Sequence, residues 1–147
     1  MWHPGDPHVS LYPSGGGESI GGIYLSGALP PGDFSHVVRV AKTYSQNGDR
    51  ITVDEVRGPS DRWAEGNTYE VTGSYVLATH DQAALAAYVT TPASNPETPH
   101  GDLPEQTMRI TKGEGQFTLR FHMWQAGEPH VSFYPSGSDG SFGGVYF

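Results

Sequence analysis

"PHVSFYPSGSDGSFGGVYF" occupies residues 129–147, and "PHVSLYPSGGGESIGGIYL" occupies residues 7–25. Laying Met1 over Met123 aligns residues 1–25 with 123–147 without a gap, and fifteen of the twenty-five pairs are identical. Most of the others exchange like for like, among them Asp6/Glu128, Leu11/Phe133, Ile20/Phe142 and Ile23/Val145. A match this long is an internal duplication, and a duplicated passage is a structural unit. Three arrangements accommodate it. The chain is one period of a longer array, or both copies complete one sandwich, or the copies take equivalent places in neighbouring subunits.

Within each copy, polar and apolar residues alternate up to a Gly/Ser-rich turn, and a second short run follows, the pattern of a hairpin. The residues before the second copy extend this reading. A three-residue loop Gln125-Ala126-Gly127 would pair Trp124 with Glu128, His122 with His130, Phe121 with Val131, Arg120 with Ser132 and Leu119 with Phe133. One face then carries Leu119, Phe121, Val131 and Phe133, a core face. The other carries Arg120, His122, Trp124, His130, Ser132 and Tyr134. In the first copy Val9 and Leu11 point inward, and His8, Ser10 and Tyr12 outward.

Outward from the repeat, 20 glycines and 12 prolines punctuate short alternating runs. Strands are expected at 8–12, 20–25, 35–41, 50–57, 68–77, 84–91, 106–112, 116–124, 129–134 and 142–147. Asn47-Gly48 suits a type I′ turn, which makes 36–45 and 50–57 a hairpin. "THDQAALAAYV" (79–89) has a helix-prone centre but runs into Tyr88-Val89-Thr90-Thr91, and it is read as a strand. The stretch 91–106 holds Pro92, Pro96, Pro99 and Pro104 and is read as an extended surface loop. The expected fold is all-β: a single domain over 1–147, an antiparallel two-sheet β-sandwich of jelly-roll type, with the duplicated hairpin at its two ends.

Composition narrows the function classes. At 147 residues the chain is long enough to bury roughly 70% of its unfolded surface. With no cysteine, disulfides, thiolate metal sites and cysteine nucleophiles are excluded. A net charge of −8 disfavours nucleic acid and anionic membrane surfaces, because both are held through basic side chains. No run approaches the length of a membrane span, and the first residues lack the basic-then-apolar pattern of a secretory signal. An acidic, cysteine-free, Gly/Ser/Thr-rich β domain fits an extracellular or cell-surface setting.

No catalytic motif stands out. His122 opposite His130 offers two imidazoles, fewer than a zinc site needs, so neither a metal nor a cofactor is expected. Ser10 and Ser132 lie in "HVS", outside any nucleophile elbow. The Gly-rich loops 14–19 and 136–141 lack the lysine of a phosphate-binding loop. Asp54, Glu55, Asp61, Glu65 and Glu70 cluster in sequence around Trp63, taken as exposed, and make a hydrolase the third reading. The first reading is a non-catalytic recognition module. Its aromatic and hydrogen-bonding face in both copies (Trp2, His8, Ser10, Tyr12; Arg120, His122, Trp124, His130, Ser132, Tyr134) suits a glycan, whose rings stack while its hydroxyls need polar partners. The second is a building block whose duplicated ends contact a tandem neighbour, another protein or its own copies in a homo-oligomer.

Overall fold

The computed structural model describes residues 8–11, 21–24, 32–90, 105–136 and 140–147, the first two segments by backbone alone. Among them the secondary structure is entirely extended: β1 (His8–Leu11), β2 (Gly21–Tyr24), β3 (His36–Gln46), β4 (Asp49–Gly58), β5 (Thr68–Thr90), β6 (Thr107–His122), β7 (Glu128–Pro135) and β8 (Gly143–Tyr146). The all-β, antiparallel expectation holds. The expected loop at 91–106 falls mostly outside the described residues. "THDQAALAAYV" is strand, as its β-branched and aromatic end favours.

β3 and β4 close on Asn47-Gly48, with Gln46 opposite Asp49. Both turn residues have positive φ, 54° and 93°, as a type I′ turn demands. β5 is the spine of the sheet. β6 runs along one of its edges, from Thr68↔His122 to Ala86↔Thr107. Its other edge is shared, because β4 pairs with 70–76 and β7 with 83–90. β8 pairs with β7, so six strands form one continuous ladder, and β1–β2 form a separate two-stranded sheet.

Two of the expected strand pairs are thus single long strands, bent where β5 changes partner. Between Leu77 and Gln82 the register of β5 slips against β6, opposite Gly113, whose φ is 131°. Asp49 fastens this corner. Its carboxylate accepts the backbone N–H groups of Ala78 (2.7 Å) and Thr79 (3.0 Å) and the Thr79 hydroxyl. Burial raises the Asp49 pKa, but the hydrogen bonds from Thr79 and Ala78 outweigh it and hold the carboxyl below its ordinary value.

The bend curls the sheet through a large angle. His122 lies beside Thr68 at one end of β5, and Glu128 lies beside Thr90 at the other. A straight strand of that length would separate the two ends by roughly 70 Å. The six Cα steps from His122 to Glu128 cover at most about 22 Å. The sheet therefore curls enough to bring the two ends of β5 within reach of each other, and residues 123–127 cross between them.

This corrects the expected β6–β7 hairpin. β6 and β7 lie on opposite edges of β5, with His122 opposite Thr68 and His130 opposite Tyr88. A short loop serves an arch between layers as well as it serves a hairpin, and side-chain alternation reports the face of a strand without naming its neighbour. The faces survive the correction. Leu119, Phe121, Val131 and Phe133 are all essentially inaccessible and meet in one core with Ile51, Val53, Val56, Tyr69, Val71, Leu77 and Leu85.

Both open sides of the curl are tied. The Arg120 N–H donates to the Glu105 carbonyl at 2.6 Å on one side. On the other, Lys42 Nζ donates to the Tyr146 carbonyl at 3.0 Å and the Tyr44 hydroxyl to the Phe142 carbonyl at 3.3 Å. Trp63 and Phe121 lie 5.9 and 6.3 Å, centroid to centroid, from Phe147, which plugs the end of the core.

Candidate functional site

The outer face of the β5–β7–β8 layer is built by register. Residues directly opposite each other share a face, as do alternate residues along a strand. Tyr88, His130 and Tyr146 form one cross-strand row, Thr107, Ala86, Ser132 and Gly144 the next, and Arg109, Ala84 and Tyr134 the third. Small residues occupy the middle row, and aromatic rings rise on both sides of it. Glycine is required at 144, because a Cβ there would come within 2.0 Å of the Ser132 hydroxyl oxygen.

The rings are mutually braced. His130 stacks on Tyr146 at 4.7 Å, and Tyr88 meets Tyr134 edge-on at 5.6 Å. The His130 ring nitrogens stand 3.3 Å from the Tyr134 hydroxyl and 3.4 Å from that of Thr90. Tyr146 is 50% exposed, the most accessible ring of the group, whereas His130 and Ser132 are buried beneath their neighbours. Burial lowers the pKa of His130 against a weaker opposing effect from the Glu128 backbone, so the imidazole is neutral at neutral pH. Burial, helped by the nearby Tyr88, pushes Tyr134 up to about 12 and keeps it a phenol. The Thr107 hydroxyl oxygen, in the middle row, is the one buried side-chain polar atom among the described residues without a hydrogen-bond partner.

The sequence-predicted site residues separate into two groups. His130, Ser132 and Tyr134 stand on this face. Arg120 and His122 belong to the far end of β6, where Arg120 Nε donates to Glu70 Oε2 at 2.9 Å and the guanidinium lies 4.7 Å over the Phe34 ring. His122 Nδ1 is 2.8 Å from the Thr68 hydroxyl, and its ring lies 4.2 Å from that of Trp124. The two histidines expected opposite each other are therefore on separate edges of β5. Trp2 and Tyr12 lie outside the described residues, and His8 and Ser10 are placed by backbone only. Tyr88 and Tyr146 were missed. The alternation of "AALAAYV" puts Tyr88 on the face opposite Leu85, and "GGVY" repeats the Tyr24 of the first copy, so both could have been found.

The acidic stretch gathers no paired carboxylates around an exposed ring. Trp63 is half-buried, edge-on to Tyr69 at 4.8 Å, as part of the core rim. Glu55 pairs with Arg57 at 3.4 Å and Glu70 with Arg120 at 2.8 Å. Among the described residues, no three His, Asp or Glu side chains stand close enough to hold a metal ion. Comparison of the chain with protein-family models, with curated proteins and with solved structures returns no match.

Proposed function

We propose that the chain is a non-catalytic recognition module that takes a neutral glycan on the outer face of β5, β7 and β8. The observation that supports this reading is the gathering of Tyr88, His130, Tyr134 and Tyr146 around the small, partly exposed Ala84 and Gly144. Flat rings edging this face can contact a sugar ring, and the Tyr hydroxyls and Arg109 supply polar partners at its margin. The net charge of −8 favours an uncharged glycan over an acidic one. In architecture we read the curled sheet as a jelly-roll-like sandwich, its layers being the two halves of the bent β5 and β6 with their neighbours. The composition supports an extracellular or cell-surface setting for such a module.

A second reading is favoured by a separate observation. The two copies of the repeat have identical registers: His8↔Tyr24, Val9↔Ile23, Ser10↔Gly22 and Leu11↔Gly21 match His130↔Tyr146, Val131↔Val145, Ser132↔Gly144 and Phe133↔Gly143. A hairpin preserved in both sequence and pairing suits an assembly element. A glycan array of neutral hexose and N-acetylhexosamine oligomers, followed by titration of the strongest binder, separates the readings. Glycan recognition predicts saturable binding lost in Tyr146→Ala. Silence across the array, or binding that ignores Tyr146, would leave assembly as the better account.

A further inference from the structure

β3 and β6 are both edge strands of the ladder, and they differ in how their outer edges are blunted. β3 is broken by a register shift between Val37 and Arg39, and Ala41 sits at φ 46°, irregularities that twist an edge away from a flat partner. Its Lys42 is engaged with the Tyr146 carbonyl of the other layer. β6 has none of these devices over 107–111. Its pairing with β5 runs without a shift from Gln82↔Thr111 to Ala86↔Thr107, and among the described residues no strand lies on its other side.

One hydrogen bond fixes which groups face that open side. The Ala87 N–H donates to the Gln106 carbonyl at 3.0 Å, so the backbone of Gln106 faces β5. In an antiparallel strand the N–H and C=O of one residue point the same way, and those of the next residue point the opposite way. Met108 and Ile110 therefore also face β5. Thr107, Arg109 and Thr111 turn their backbone groups outward, as Arg120 does further along, where its N–H meets the Glu105 carbonyl. An open row of this kind is a template for one more strand.

Charge selects that strand. Of the eight Lys and Arg residues in this chain of net charge −8, β6 carries Arg109, Lys112 and Arg120. Arg120 is engaged with Glu70. Arg109 and Lys112 are exposed, and among the described residues neither has a carboxylate within ion-pair distance. A second copy adding its own β6 antiparallel about Arg109 would bring like charges face to face, which is unfavourable across a strand pair. An extended segment with acidic side chains satisfies both the backbone row and the two cations. We infer that residues 107–111 of β6 are a docking edge for an extended acidic peptide, which adds as a strand outside β6 and sets its carboxylates against Arg109 and Lys112. The left-handed Gly113 and the acidic Glu114 beyond it confine the docked strand to this side of the corner. The edge shares Arg109 with the glycan face but does not depend on glycan binding.

The test uses the full chain and a labelled, acetylated and amidated peptide, Ser-Glu-Val-Glu-Val-Glu-Ser, with lysine in place of glutamate as the control. Fluorescence anisotropy should show saturable binding of the glutamate peptide alone. Binding should weaken about tenfold in Arg109→Glu with Lys112→Glu, and again in roughly 0.5 M salt. Both substitutions lie at exposed positions, and thermal denaturation checks that the variant is folded. Amide exchange at Thr107, Arg109 and Thr111 should slow when the peptide binds, while the β3 amides of Arg39 and Thr43 keep their rates. No saturation at roughly millimolar peptide, equal binding of the lysine control, or protection that falls on β3 instead would overturn the inference. Self-association that slows the same three amides without peptide would also overturn it, because the occupant would then be a second copy.

Discussion

β7–β8 and β1–β2 share sequence, register and strand length, yet they differ in the strand that lies beside them. β7 rests on eight residues of β5 and buries Val131 and Phe133 in the common core. β1 pairs only with β2 among the described residues. A lone two-stranded hairpin is marginal in water, so pairing with β5 is what makes β7–β8 stable. The partner, not the hairpin, carries most of the stability.

The largest expected effect lies where β7 meets the core. Phe133→Ala should cost about 3–5 kcal/mol in urea denaturation, as for any fully buried phenylalanine. A loss below about 1 kcal/mol would break the claim that β7 is held by the common core.

Next in size is the corner that brings the second half of β5 under β7. Asp49→Ala leaves the N–H groups of Ala78 and Thr79 and the Thr79 hydroxyl without their acceptor and should cost about 2 kcal/mol in thermal denaturation. The Asp49 pKa is lowered in the fold, so its contribution is complete above about pH 4 and disappears as pH falls through the folded value. Acid unfolding of Asp49→Asn should accordingly be less steep than that of the parent.

His130 carries a smaller, pH-dependent effect. The folded pKa of His130 is depressed below 6.5, so the unfolded chain binds the extra proton first and stability declines as pH falls below about 6.5. His130→Gln should flatten that part of the stability profile, and an unchanged profile would contradict the burial of its imidazole. Tyr146→Ala should have the smallest stability effect, under about 0.5 kcal/mol at a half-exposed position, while removing glycan binding. Parallel loss of stability and binding would mark Tyr146 as structural.

Much of this fold is readable in the residues. Asn47-Gly48 announced its turn, and alternation assigned Leu119, Phe121, Val131 and Phe133 to the core. What alternation leaves open is adjacency. A strand's period is the same whichever neighbour it has, so the five residues after His122 suited a hairpin and an arch equally well. The corner at 78–81 was hidden for a similar reason: it depends on Asp49, a residue about thirty positions away. The candidate site was half legible. His130, Ser132 and Tyr134 follow from the repeat, but their union with Tyr88 and separation from Arg120 and His122 follow only once β5 lies between β6 and β7.

Amide hydrogen exchange, resolved residue by residue on the full chain, compares the two hairpins most directly. The amides of Val131 and Phe133 should be protected to nearly the same extent as those of Leu85 and Leu119, and those of Val9 and Leu11 should exchange at least a hundredfold faster. Equal protection in the two copies would contradict the claim that pairing with β5 is what stabilises β7–β8.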